Sequence, residues 1–466
     1  PASRPPRAWR GLEWLVYVLV ALLIGVRFFT EQVPVLPRVF NAVDLIAVPV
    51  LLPLCALWVL VRGRLRVYGA TIIALCWCVL IAWVIAWAAN ISEVHWLGAL
   101  LFAAGLLTPV LFYLILTNLG LDRRFSERML RLLKLLLLAN LVIGTVQAAQ
   151  GIGGESHDFV FGTFGYNQNQ LAFFLIMMVS YSMARWRYRR LSRFDLAIML
   201  WSGMLFLLCA FQTLWLVFAA ATVVVFGLVI ELRSRLFAGK LPRRLVLLAM
   251  AGVLLPMLAL STIGFARFNV LNTLSQIPTY FNQLGKVQLL RSVPQVWELR
   301  PYSLIVGTGP GTYNSRAFRS IAIVPYAATG ASDVAAALVP PFYRSELSAR
   351  FILPYFQRGI FFLSGANTDG PFTSYVSVPI ELGMPGGLAY FAIYGIIALQ
   401  LIRSIRSSVD IEQRVLASWA LMGLLMLLGL AAIDNYLETT RYTLLVWLVV
   451  AVWRIHGRSS SVTTTT

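Results

Sequence analysis

Twelve apolar runs constrain this chain more than any other feature of its sequence. A helix needs about 20 mostly apolar residues to cross the hydrocarbon core of a bilayer. Runs of that length lie at residues 12–29, 41–61, 68–88, 97–118, 130–149, 166–184, 195–211, 214–232, 245–264, 384–402, 414–432 and 437–453. A helix satisfies its own backbone hydrogen bonds within lipid. The sequence therefore predicts an all-α polytopic membrane protein with about twelve transmembrane helices.

Composition agrees with this class. Of the 466 residues, 59% are hydrophobic and only 12% are charged, which leaves too little polar surface to cover a water-soluble globule. All four cysteines lie inside apolar runs, where a thiol is usually a small packing group: Cys55, Cys76, Cys78 and Cys209. We expect neither a disulfide nor a metal site.

The net charge of +19 could indicate a nucleic-acid partner, but its distribution argues against one. Of the 38 Lys and Arg residues, 26 fall in the two terminal segments and in alternate connections between the apolar runs. Cytoplasmic loops of membrane proteins carry this excess of cations. The pattern places the basic loops and both termini in the cytoplasm, with the bilayer as partner and no nucleic acid.

Residues 265–382 form the one long segment between two apolar runs that could not itself cross a bilayer. The predicted organisation is residues 1–264 with nine spans, the long external loop at 265–382, and residues 383–466 with three spans and a cytoplasmic tail. The loop contains nine of the twelve cations predicted outside: Arg267, Lys286, Arg291, Arg300, Arg316, Arg319, Arg344, Arg350 and Arg358. Long loops cross regardless of charge, so these cations need another explanation.

Two glycine-rich stretches carry candidate ligand contacts. Residues 162–170 lead two glycines into Asn167, Gln168, Asn169 and Gln170; carboxamides suit hydroxyl-rich ligands such as sugars, or simply cap a helix. Residues 307–311 either approach a phosphate through backbone amides or form a tight turn that needs positive φ. Arg316 and Arg319, three residues apart, would share a helix face and could grip a diphosphate, or could snorkel to lipid headgroups.

The order of these elements resembles the bacterial O-antigen ligase and polysaccharide polymerase superfamily. The resemblance covers residues 162–400 and rests on several motifs around one long external loop: Thr163 to Ala172, Arg291 with Trp297, Gly307 to Gly311, Tyr375, and Glu381-x-Gly383-x-x-Gly386. It implies transfer of glycan from undecaprenyl diphosphate to an acceptor hydroxyl at the periplasmic face of the inner membrane, without metal or nucleotide. Other polysaccharide assembly proteins are further expected partners.

The same resemblance implies roles for particular residues. Arg291 would grip the diphosphate, and the loop would form a lid over a cavity that opens to the outer leaflet. The further candidate substrate-binding residues are Arg267, Arg316, Arg319, Gln168, Asn169 and Tyr375. Asp369 is the candidate base for the acceptor proton, although a turn aspartate that satisfies local amides is the alternative. Glu346 and Glu381 are poorer candidates, because arginines flank the first and the second is expected to start a helix.

The motifs and the resemblance leave three possible functions. The first is polymerisation of lipid-linked oligosaccharide repeat units. The second is a ligase that transfers glycan to a lipid or protein, which the sequence supports less because Phe372-Thr373-Ser374 stands where the ligase pattern has a histidine. The third is a polysaccharide-related transporter or flippase, which would be expected to show internal repeats and interrupted spans.

Overall fold

The computed structural model describes residues 7–37, 40–41, 43, 48–51, 53–54, 57, 69–151, 160–209, 211–231, 285–320, 345–352 and 373–462. Every regular element in these ranges is a helix. In chain order they are α1 (Arg7–Arg27, continued by a π-helical turn Phe28–Gln32), α2 (Ala70–Ala89), α3 (Trp96–Asn118), α4 (Arg123–Gly151), α5 (Gln168–Tyr188), α6 (Arg193–Leu208), α7 (Gln212–Thr222, continued by a π-helix Val223–Glu231), α8 (Gly285–Leu299), α9 (Ser303–Val306), α10 (Arg316–Phe318), α11 (Glu346–Phe351), α12 (Ser374–Ser407), α13 (Ile411–Ala431), a 3₁₀ turn Tyr436–Glu438 and α14 (Thr440–Val462).

Seven helical segments within these ranges are long and apolar enough to cross a membrane. They are Glu13–Gln32, Ala70–Ala89, Trp96–Asn118, Arg123–Gly151, Thr213–Ile230, Ser374–Ser407 and Ile411–Ala431. Each coincides with a run predicted from the sequence. The chain is therefore an α-helical protein with the composition of a membrane protein.

The other five predicted spans differ in their outcome. The runs at 166–184, 195–211 and 437–453 are helical, as α5, α6 and α14, but these helices are shorter or less apolar than the seven above. At 16 residues, α6 is about 24 Å long, less than the thickness of a hydrocarbon core. The run at 245–264 and most of the run at 41–61 lie outside the described residues, so the count of twelve stays a prediction.

The core is centred on α13. Its apolar side chains are buried nearly all round, against α12, α14, α5 and α7. Trp419 of α13 donates its Nε1–H to the Met177 carbonyl of α5 at 2.7 Å and packs edge-on against Tyr181. By contrast, α2 exposes Trp77 and Ile81 outward. A helix that is apolar all round belongs inside the bundle, and the exposed apolar face of α2 fits contact with lipid.

The connections between helices gather at two ends of the bundle. At the end with the basic loops, here called the basic end, Lys134 and Arg185 both pair with Asp195, at 3.0 and 3.1 Å. At the opposite end, here called the turn end, residues 28–37 contact residues 160–167. At the same end, residues 300–316 contact both residues 90–96 and residues 432–440. Contacts thus join connections that the charge pattern assigns to the same side.

Candidate functional site

The glycine turn at residues 307–311 packs against a break in α12. The helix is interrupted at Gly383, whose φ is 76°, and Gly307 in the facing turn has a φ of 89°. A Cβ at Gly383 would collide with the Ile305 carbonyl oxygen, and one at Gly307 with the Glu381 carbonyl oxygen. Both positions require glycine because the two backbones touch at a conformation that side chains disfavour.

Glu381 organises this contact. Its carboxylate accepts backbone N–H bonds from Gly311 at 2.5 Å, Tyr313 at 3.1 Å, and Asn314 and Ser315 at 3.0 Å each. The Glu381 side chain is fully buried. These amides therefore bind a carboxylate of the same chain, which favours the tight-turn interpretation over phosphate contact. The expectation that Glu381 starts a helix is wrong, because Glu381 lies two residues before the break in α12.

The break divides α12 into two parts with different surroundings. Before Gly383, Val376 and Ile380 pack into a small separate core whose other members come from α8, α10, α11 and their flanking residues: Leu289, Val296, Tyr313, Phe318, Leu347 and Ile352. After it, residues 384–407 run for about 36 Å, enough to cross a bilayer. The first part thus belongs with the described pieces of the long segment, and the second is the spanning part.

Arg316 and Arg319 both contact the short connection between α13 and α14. Arg316 Nη1 donates to Thr439 Oγ1 at 3.1 Å, and Arg319 Nη1 lies 3.7 Å from Asp434 Oδ2. The Arg316 side chain is exposed and that of Arg319 is partly exposed. Both arginines therefore contact the same connection, through Thr439 and Asp434.

Glu438 fixes the start of the segment that carries these arginines. Its buried carboxylate accepts the Arg316 backbone N–H at 2.6 Å and the Ser377 hydroxyl at 2.5 Å. Asn435 Nδ2 adds a bond to the Asn314 carbonyl at 2.6 Å. Sequence reasoning missed this connection, because the predicted run at 437–453 includes Glu438. The available signal was the high share of polar residues in the stretch 434–441.

The stretch at residues 162–170, which carries the four carboxamides, is held by polar groups of α4 and of the π-helical turn that follows α1. Asn140 Oδ1 accepts the Thr163 N–H at 2.8 Å, and Gln147 Oε1 accepts the Phe161 and Gly162 N–H groups at 2.8 Å each. Asn167 caps α5 by accepting the Gln170 N–H at 3.0 Å.

The capping interpretation therefore describes Asn167. Gln168 and Asn169 follow it as partly buried residues of the first turn of α5, and Gln170 is buried. The structure places the four carboxamides at the turn end, and a sugar contact through Gln168 or Asn169 stays a prediction.

The remaining predicted site residues are spread over the same end. Arg291 lies on the exposed face of α8, and its neighbour Ser292 shares a 2.7 Å hydrogen bond with the hydroxyl of Tyr313, three residues before Arg316. Tyr375 is 42% exposed and donates its hydroxyl to the Leu428 carbonyl at 2.9 Å. Arg267 and Asp369 lie outside the described residues.

Arg300 shows that one cation of the long segment has a structural use. Its Nη2 lies 2.6 Å from Glu93 and 2.5 Å from Glu346. Burial would lower the pKa of Arg300, but the hydrogen bonds to both carboxylates raise it further than burial lowers it. Arg300 therefore links the α2–α3 connection to α11.

No family model and no curated protein matches this chain. Within the described ranges, no three His, Cys, Asp or Glu side chains group as metal ligands.

Proposed function

We propose that this protein is a membrane glycosyltransferase that polymerises oligosaccharide repeat units linked to undecaprenyl diphosphate, at the membrane face opposite the basic loops. The observation that carries the proposal is the position of Arg316 and Arg319 at the turn end, where both contact residues 434–439. A planar guanidinium matches phosphate oxygens bidentately and stays charged at any relevant pH. This face would be periplasmic, with both termini cytoplasmic, in a bacterial inner membrane.

The proposed glycan transfer requires mainly cations near the leaving diphosphate and correct positioning of donor and acceptor. The acceptor hydroxyl oxygen bonds to the anomeric carbon, the bond from that carbon to the diphosphate oxygen breaks, and the lipid diphosphate leaves with the electron pair. Cations that meet the charge developing on the leaving group lower the barrier most. Arg291 would complete this cationic set, since α8 is joined to the Arg316 segment through Ser292 and Tyr313.

The hydroxyl proton needs an acceptor, and Asp369 keeps that assignment as a proposal. Among the described residues, Asp434 lies 3.7 Å from Arg319, and Glu438 accepts the backbone N–H of Arg316. Gln168, Asn169 and Tyr375, at the same end, are proposed to contact the sugar rings, as Arg267 is proposed to contact the diphosphate.

The break in α12 is the observation that favours the alternative of a transporter or flippase. Interrupted spans often form the substrate sites of secondary transporters, near the middle of the bilayer. Here the helix after Gly383 is long enough to span alone, so the break falls at the end of a span and not at its middle. The enzyme is therefore the better-supported proposal.

Lipid extracts of cells that lack this protein test the proposal. We expect single repeat units on undecaprenyl diphosphate to accumulate, as measured by mass spectrometry. Accumulation of long chains on the same carrier would instead support the ligase, which moves finished glycan to a lipid or protein acceptor. No change in lipid-linked glycans would contradict both enzymes.

Arg291 offers a second test, with purified protein and lipid-linked glycan. Loss of a charge-assisted contact that strengthens in the transition state is worth about 2–4 kcal/mol, so Arg291→Ala should slow transfer roughly 30- to 1,000-fold. Arg291→Lys should retain part of the activity because it keeps the charge but not the fork. Arg350→Ala controls for general loss of loop charge. Near wild-type transfer by Arg291→Ala would remove this residue from the site.

A further inference from the structure

Exposed apolar side chains gather at the turn end, on α9 and on the connection between α2 and α3. In α9, Leu304 and Ile305 are exposed, Ile305 to 68%, whereas Ser303 of the same helix is fully buried. Tyr302 precedes the helix and is also exposed, and Ile91 is 71% exposed. Ile91, Tyr302, Leu304 and Ile305 are here called the apolar patch. Exposed apolar surface of this kind marks contact with a protein partner or with a membrane.

Asn90, the residue that follows α2, holds the parts of the apolar patch together. Its Nδ2 donates to the Gly307 carbonyl at 3.1 Å, and the Tyr302 hydroxyl donates to its Oδ1 at 3.4 Å. Both ends of α9 are thus bonded to one buried side chain at the end of α2. Because Ile91 is the next residue in the chain, it lies near α9.

Two spanning helices give the level of α9 relative to the membrane. The 20 residues of α2 run for about 30 Å, the thickness of a hydrocarbon core, and Asn90 follows the last of them. The spanning part of α12 begins after Gly383, where an added Cβ would meet the Ile305 carbonyl oxygen. We therefore place α9 at the level where both helices leave the hydrocarbon core.

The apolar patch also continues the lipid-facing side of α2. Every exposed residue of α2 from Trp77 through Ala89 is apolar, and Trp77, Ile81, Val84 and Ile85 recur at the spacing of one helix face. Ile91 comes two residues after Ala89. Acyl chains that cover the face of α2 would reach the apolar patch without crossing a polar side chain of that helix, so lipid is the occupant that the surface fits best.

We infer that the apolar patch is inserted into the leaflet at the turn end, at the boundary between acyl chains and headgroups, and anchors the long segment there. Tyr302 suits this boundary because its ring is exposed and its hydroxyl is bonded to Asn90. Arg300, two residues earlier, is paired with Glu93 and Glu346, so its charge is compensated beside the apolar patch. The anchor fixes the depth of the Gly307–Gly311 turn, which follows α9 directly, in an enzyme and in a transporter alike.

Spin labels on the full-length protein in phosphatidylcholine liposomes test this anchor. Each label is attached to one introduced cysteine, after the four native cysteines have been changed to alanine. Collisions with oxygen, which concentrates in lipid, and with a water-soluble nickel chelate measure the depth of the label. We expect the label of Ile305→Cys to lie roughly 5–10 Å below the lipid phosphates. Ile91→Cys should give the same depth, and it serves alone if Ile305→Cys does not fold.

Two further positions are the matched controls. Ile81→Cys, on the exposed face of α2, should report a deeper position, and Gln295→Cys, at an exposed polar position of α8, should meet mainly the nickel chelate. Labels on the apolar patch that meet the chelate more often than oxygen would place the patch in water and overturn the inference. Labels shielded from both reagents would also overturn it, because protein would then cover the patch. Dilution into more lipid would restore oxygen access if the cover were a second copy and leave the shielding unchanged if it were part of the same chain.

Discussion

Both ends of the bundle contain ion pairs, but the two ends differ in how they use their other carboxylates. At the basic end, cations and carboxylates of neighbouring helices pair at partly exposed positions, as Lys134 and Arg185 do with Asp195. At the turn end, the carboxylates of Glu381 and Glu438 are buried and bind backbone amides. The first arrangement contributes little to stability, whereas the second determines the path of the chain. The bond from the Arg316 backbone N–H to Glu438 thus fixes the position of an exposed arginine.

The largest expected effect is that of removing Glu381. Glu381→Ala would leave four buried N–H groups without an acceptor, at about 1–3 kcal/mol each, so we expect more than about 3 kcal/mol of lost stability and little folded protein. Glu381→Gln should lose less, because the amide oxygen can still accept.

Thermal unfolding in detergent measures both variants. Glu412→Ala is the control at the basic end, where Glu412 lies 3.7 Å from Arg189. If Glu381→Ala melts at the same temperature as Glu412→Ala, the two ends do not differ in the way described.

A smaller loss is expected at the break in α12. Gly383→Ala places a Cβ against the Ile305 carbonyl at positive φ, which should cost about 1–3 kcal/mol. Gly395→Ala, in the same helix with open space around its Cβ, should instead be neutral or stabilising by up to about 1 kcal/mol. Melting temperatures of the two variants give the comparison, and equal shifts would show that the break is not strained against the turn.

Features that depend on neighbouring residues could be predicted from the sequence. Contacts between residues far apart in the chain could not. Apolar runs predicted the seven long apolar helices and also α5, α6 and α14, and the alternation of cations assigned the connections to two ends, because both signals are local. The spacing of three between Arg316 and Arg319 predicted that they share a helix face. Interactions across the chain had no such signal.

Glu381 shows what was missed and why. It is 70 residues from Gly311 and binds main-chain amides, which look alike in any sequence. Its position two residues before Gly383 gave no indication that the helix would break there. Asn140 and Gln147 were visible as polar residues within an apolar run, and a search for the groups they satisfy could have led to the turn at 161–163.

A pH effect is expected from a histidine at the basic end. Burial and the nearby Arg123 lower the pKa of His456 below its ordinary value of 6.5, although Asp410 at 3.3 Å opposes this. Because the unfolded chain takes up the proton first, stability should fall as the pH drops below about 6.5, by at most about 1.4 kcal/mol per pH unit. His456→Gln should flatten melting temperature against pH in that window. An unchanged profile would mean that other groups cause the acid sensitivity.

The smallest effect is expected for the ion pairs of the basic end. Asp195→Asn removes the partner of Lys134 and Arg185, and partly exposed pairs of this kind contribute about 0–1 kcal/mol. The melting temperature should therefore change little and become less sensitive to salt. A loss as large as that of Gly383→Ala would show that the basic end is held more tightly than its exposure implies.

The most direct test of the account is glycan transfer by proteoliposomes that contain Arg316→Ala or Arg128→Ala at equal protein levels. Arg128 pairs with Glu13 at the basic end, at 3.1 Å. We expect Arg316→Ala to lose roughly 30- to 1,000-fold in rate, because a contact to the leaving diphosphate is worth about 2–4 kcal/mol, and Arg128→Ala to transfer at the wild-type rate. Wild-type transfer by folded Arg316→Ala, or an equal loss in Arg128→Ala, would contradict the claim that the turn end holds the diphosphate.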